Sequence, residues 1–185
     1  MATSPTYADL SELYDRFGEA DIVRFADESG VLDITGDGSG QVQDAYDGNS
    51  VSGSSDEAEA ARQAAKTIKD ALRDAEAEVD GYLQSSYDVP VATAASETPR
   101  IVRRITAQIG HYLLQESPTE TAENRYEKAV SDLEKIARGM IELGLQVDGS
   151  DAPSGGSRAS ATQGTTTFSG GALDSWRQGH NQFGF

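Results

Sequence analysis

The sequence predicts a mainly α-helical protein: a small bundle of four to five helices, a loop insertion at 27–55 and an extended C-terminal arm at 148–185. Three observations predict it. Apolar residues recur at intervals of three and four through most of residues 1–147, the period of a helix with one buried face. Residues 27–55 lose that period and are rich in Gly and Asp. From Asp148 onward the composition turns to Ser, Gly, Thr and Ala, which cannot bury enough surface to order alone. Residues 1–147 are therefore expected to form a helical domain, and 148–185 a flexible arm that orders on assembly.

The first helix is expected to start at Thr6 as N-cap, with Asp9 near its positive end. Leu10, Leu13, Tyr14 and Phe17 share one face, and Gly18 ends the helix. A second short helix from Glu19 to Ala26 buries Ile22 and Val23. The insertion reads as an exposed acidic loop, with room for a β-hairpin across 31–34 and 41–46. Ser55, Asp56 and Glu57 open a long helix. Its stripe, Ala61, Ala65, Ile68, Leu72, Ala75, Val79 and Tyr82, is spaced alternately by four and three. Arg62, Lys66, Lys69 and Arg73 lie on its outer face. Gly81 weakens its last turn, and Pro90 forces Val89 into extended backbone.

Pro99 suits the first turn of the next helix, whose buried face is Ile101, Val102, Ile105, Ile109, Tyr112 and Leu113. Arg100, Arg103 and Arg104 sit at its start, against the helix dipole. Salt bridges to acids on neighbouring elements account for them, with contact to an acidic partner as the sharper alternative. Pro118 and Thr119 begin a last helix with Ala122, Tyr126, Ala129, Val130, Leu133, Ile136 and Ala137 as its stripe, ended by Arg138 and Gly139.

Net charge is −16, from 31 acids against 15 bases. Residues 1–60 carry 14 acids and 2 bases, while 99–147 balance at 7 and 7. Such a surface repels phosphate, so sequence-reading nucleic-acid binding is not expected. Eleven Arg against four Lys, and 17 Asp against 14 Glu, agree with adaptation to high salt. No run approaches a membrane span, and the N-terminus lacks the basic and apolar regions of a signal peptide.

Catalytic chemistry is not expected, nor any cofactor. The chain has no cysteine and two histidines, His111 and His180, without partners at motif spacing. His111 is expected at a core edge. Gly36, Gly38 and Gly40 lack a strand–loop–helix context for phosphate. Asp33, Thr35, Asp37, Gly38 and Asp44 resemble a calcium loop, but position 8 is Gly40 and position 12 is Asp in place of Glu. A solvated acidic turn is the expected reading, with no metal. The candidate binding residues lie in the arm: Trp176, Phe183 and Phe185 as aromatic anchors, supported by Leu173 and Arg177.

Four blocks together resemble the head–tail adaptor (connector, or head-completion) proteins of Mu-like prophages and related long-tailed viruses. They are Tyr7-Ala8-Asp9-Leu10 with Arg16-Phe17-Gly18-Glu19-Ala20 and Ala26-Asp27; Ala75 and Val79-Asp80-Gly81-Tyr82-Leu83 with Tyr87, Val89 and Pro90; Pro99, Ile105 and Ile109-Gly110-His111-Tyr112-Leu113-Leu114; and Arg125-Tyr126-Glu127, Ala129 and Leu133-Glu134-Lys135-Ile136-Ala137-Arg138-Gly139 with Leu143-Gly144. The insertion is longer than the family pattern, and the part after Gly144 has no evident counterpart. The resemblance implies a structural virion protein of the neck, assembled in the host cytoplasm. It would form a homo-oligomeric, twelve-fold ring beneath the portal protein and contact a stopper or tail protein. Viral DNA would pass through its lumen without specific binding, and no membrane is involved. Two alternatives stand beside it: a tail terminator or stopper of the same neck, and an acidic regulator that mimics DNA.

Overall fold

A single long rod organises the molecule. In a computed structural model that describes residues 7–34, 36–91 and 98–143, six helices and no strand are present among the described residues. They are α1 (Leu10–Phe17), α2 (Glu19–Ala26), α3 (Gly38–Asp47), α4 (Ser55–Leu83), α5 (Arg100–Leu113) and α6 (Glu120–Ala137). The rod is α4, 29 residues long. Its start is fixed by a capping box. Ser54 accepts from the Glu57 N–H, and the Glu57 carboxylate accepts from the Ser54 N–H. These bonds hold the Glu57 carboxyl below its usual range.

The stripe read from the sequence is the buried face: Ala61, Ala65, Ile68, Leu72, Ala75 and Val79 are buried and Tyr82 half-buried. Its two halves serve two apolar clusters. The first half packs with α1, α2 and α3 around Leu10, Leu13, Ile22, Val23 and Val42. The second half packs with α5 and α6 around Ile105, Ile109, Leu133 and Ile136. Small side chains at Ala60, Ala61, Ala64 and Ala65 let the short helices approach closely. At the crossing with α5 the closest approach falls on Gly110, where an added Cβ would stand 3.0 Å from Leu72 Cδ2.

Four local expectations change. The cap of α1 is Asp9, whose carboxylate accepts from the Glu12 N–H, so the helix begins at Leu10 and not after Thr6. Pro99 is itself the N-cap of α5 and precedes its first turn. Leu113 is 42% exposed and Leu114 takes the core position, because the helix ends there and the chain turns. The insertion holds neither a hairpin nor only a loop: residues 38–47 are α3. Glycines at 38 and 40 each cost a helix about 1 kcal/mol relative to Ala, which hides it from propensity. Burial of Val42 and Tyr46, one turn apart, holds it against α4. Gly18 breaks α1 from α2 at φ +88°, a conformation that side chains with a Cβ rarely adopt.

Candidate interaction surface

Leu173, Trp176, Arg177, Phe183 and Phe185, the anchors expected from the sequence, lie outside the described residues. So does His180. The surfaces described below belong to the helical body.

One hydroxyl joins three separate segments. Tyr7 precedes α1 and is buried. Its hydroxyl donates to Asp80 Oδ1 at 2.5 Å near the end of α4, and accepts from the Val91 N–H at 2.5 Å just past Pro90. Its own backbone N–H donates to Glu76. Burial, then the bond to Asp80, keeps the phenol protonated well beyond its ordinary range. On the other side of α5, His111 is stacked on Phe17 with ring centroids 3.9 Å apart, and Phe25 meets it edge-on at 5.8 Å. Arg125 caps the stack from α6, 5.6 Å from the Phe17 ring. Gln115 Nε2 lies 3.2 Å from His111 Nδ1, where it can donate to a neutral ring. Burial, with the charge of Arg125 second, pushes the His111 pKa down to about 4. His111 is therefore a core residue that holds α1 and α2 to α5. A third joint is Tyr126, stacked on Tyr112 at 4.4 Å and donating to Glu78 at 2.9 Å.

Two of the three arginines at the start of α5, Arg103 and Arg104, pair inside the molecule, as the simpler reading held for them. Arg104 meets Asp132 of α6 at 3.0 Å, and Arg103 lies 3.9 Å from Glu12 of α1. Residues 38 to 44 of the calcium-like stretch, its sixth to twelfth positions, lie within α3. Among the described residues, no group of three or more His, Asp or Glu side chains is arranged to hold a metal ion. No helix among them is long and apolar enough to cross a membrane.

What the body presents outward is charge, with a few apolar side chains. Among the described residues Met140, Val31, Leu113, Val89 and Ile34 are the large exposed hydrophobics. Arg62, Lys66, Lys69 and Arg73 form a row along α4 beside a groove of about 290 Å³, floored by Ala45 and Ala65. Lys69 is anchored at its inner edge, donating to the Tyr46 carbonyl and lying 4.7 Å from that ring's centroid. The row was visible in the sequence as an outer face. The groove was not, because Ala45 of α3 helps to line it.

A family model described as Bacteriophage Mu, Gp36 matches residues 7–162, which includes the whole helical body. The chain belongs to the bacteriophage Mu Gp36 family. It is 35% identical over 82 residues to the Mu-like prophage FluMu protein gp36 of Haemophilus influenzae. That stretch is 44% of this chain and 55% of the relative, so the chain spans about half the length of the curated relative it matches. The Gp36 match extends past Gly144, so the family pattern continues beyond the last sequence block recognised. The four blocks that carry the resemblance fall on the joints just described. Tyr7, Phe17 and Gly18 belong to the first, Asp80 and Pro90 to the second, Gly110 and His111 to the third, and Tyr126 to the fourth. This member of the Gp36 family is a phage protein whose motif residues hold helices together.

Proposed function

We propose that this Gp36-family protein is a structural part of the virion: a head–tail adaptor that binds beneath the portal as a ring and extends the DNA channel toward the tail. The observation that carries the reading is the family membership over residues 7–162. The character of the body supports it. Its motif residues are spent on rigid helix-to-helix joints, which suits a part whose task is to present fixed surfaces to neighbours. Its net charge of −16 suits a channel wall that DNA slides past without sticking. In this reading the aromatic residues Trp176, Phe183 and Phe185 dock on the portal, with Leu173 and Arg177 beside them.

The test is capture of the full chain by its purified portal protein, imaged by electron microscopy. The expected result is a ring of added density coaxial with the portal. A chain ending at residue 147 should keep its helical circular dichroism and lose portal binding. Portal binding unchanged on truncation would reject the arm as the anchor. Particles whose neck lacks this polypeptide would reject the adaptor role itself.

A further inference from the structure

We infer that the cation row of α4 is the docking surface for the acidic α1–α2 face of a second copy of this chain. The inference rests on the ring reading above and names the contact between neighbours within it.

The row gathers four cations on one helix face of a chain whose net charge is −16. Residues 61–98 contain four bases, and all four stand on this one face at spacings of four, three and four. At about 100° per residue they fall within a narrow sector of the helix. Arg62 and Lys66 are well exposed, with side-chain exposures of 57% and 70%. The carboxylate within the groove lining is Asp70, 3.2 Å from Arg73 and 4.0 Å from Lys66. Glu59 meets Arg62 at 3.3 Å. These two carboxylates offset part of the row's charge, and Asp44 and Asp47 of α3 flank the Ala45 and Tyr46 that meet it.

The complementary surface is on the same chain but on another side of it. Asp15, Glu19 and Asp21 are exposed on α1 and α2, with Asp21 paired to Arg24 at 2.6 Å. Of these helices α2 packs on α4, whereas α1 packs on α2 and on α5, tied to the latter through Glu12 and Arg103. The core thus separates a molecule's own acids from its own row. Two such molecules, each at −16, repel unless opposite local charges meet, and a head-to-tail contact achieves this where a face-to-face contact does not. Contacts of that kind are heterologous and generate rings when the rotation closes. Double-stranded DNA is the less suitable occupant. Asp70 and Glu59 within and beside the row oppose a phosphate backbone, and the long-range field repels it.

The test uses the full chain and two charge-reversed variants, Arg62→Glu/Lys66→Glu and Asp15→Lys/Glu19→Lys. All four positions are exposed, so circular dichroism should match the parent. Sedimentation velocity at low salt should show self-association of the parent, weakened about tenfold or more in either variant. An equimolar mixture of the two variants should restore it, since each reversed surface then meets its complement. Carbodiimide coupling of isotope-labelled with unlabelled chain should join Lys66 or Lys69 of one copy to Asp15, Glu19 or Asp21 of the other. A parent that stays monomeric, variants that associate like the parent, or a mixture that fails to recover would each overturn the proposal. So would binding of duplex DNA that the Arg62→Glu/Lys66→Glu variant loses. Portal capture separates the two readings. A parent captured by the portal without coupling between copies leaves the adaptor reading and removes this contact. Reciprocal rescue without portal capture does the reverse.

Discussion

Replacing Tyr7 by Phe removes one oxygen atom and should cost about 2 kcal/mol. The magnitude follows from what that oxygen serves. It is the acceptor for the Val91 N–H, and Val91 is 1% exposed, so no water can take its place. A buried donor left without an acceptor costs about 1–3 kcal/mol. The second partner, Asp80, is part-exposed and recovers solvation, so its loss adds little. The ring itself stays buried, so the apolar contribution is unchanged. For a body of this size about 2 kcal/mol lowers the midpoint of thermal unfolding by roughly 6–10 °C. Urea unfolding followed by circular dichroism reads the difference directly, with the slope unchanged if the variant exposes the same surface. Asp80→Asn keeps an oxygen acceptor and should cost less than Tyr7→Phe. A Tyr7→Phe variant within about 0.5 kcal/mol of the parent would refute the reasoning, because changes that touch no special feature fall in that range.

Four other outcomes are expected. His111 is held neutral in the folded state with a pKa of about 4, against 6.5 ordinarily, so the unfolded chain takes up the proton first as pH falls. Its contribution is complete above about pH 6.5 and is lost progressively toward pH 4, at most about 3 kcal/mol; urea titrations at several pH values should show this slope, and His111→Phe should flatten it. At the alkaline end, burial raises Tyr14 and burial raises Tyr46 to about 12, so stability falls as pH rises above about 10 and tyrosinate absorbance should appear together with unfolding. Ser54→Ala removes the N-cap acceptor of α4 and should cost about 1 kcal/mol by thermal melting. Leu72→Ala opens a cavity where α4 crosses α5 and should cost about 2–5 kcal/mol by chemical denaturation.

The helices that were legible in the sequence are those whose period and ends agree. In α4 the alternation of fours and threes specified the face, and Ser55, Asp56 and Glu57 marked the start one residue after the actual cap, Ser54. In α6 Thr119 and Gly139 marked the limits, and Ala122, Ala129, Leu133 and Ile136 supplied the buried face. Helix α3 was illegible because its two glycines read as loop, while the contacts that form it come from α4, distant in sequence. For the candidate surface, the four cations on one face of α4 were readable from spacing alone. Their groove, and the separation of the α1–α2 acids from them, depend on how helices pack. Tyr7 and His111 were recognisable as family residues, but their roles arise from partners 84 and 94 positions away.

The rod α4 has a mechanical consequence. At about 1.5 Å per residue its 29 residues reach roughly 43 Å, it contains no proline, and Gly81 stands only in its final turn. One group of helices packs along its first half and another along its second, so the rod links the two clusters. A push delivered at the α3 end therefore arrives beside Tyr7 and Val91 as displacement and is not absorbed by bending on the way.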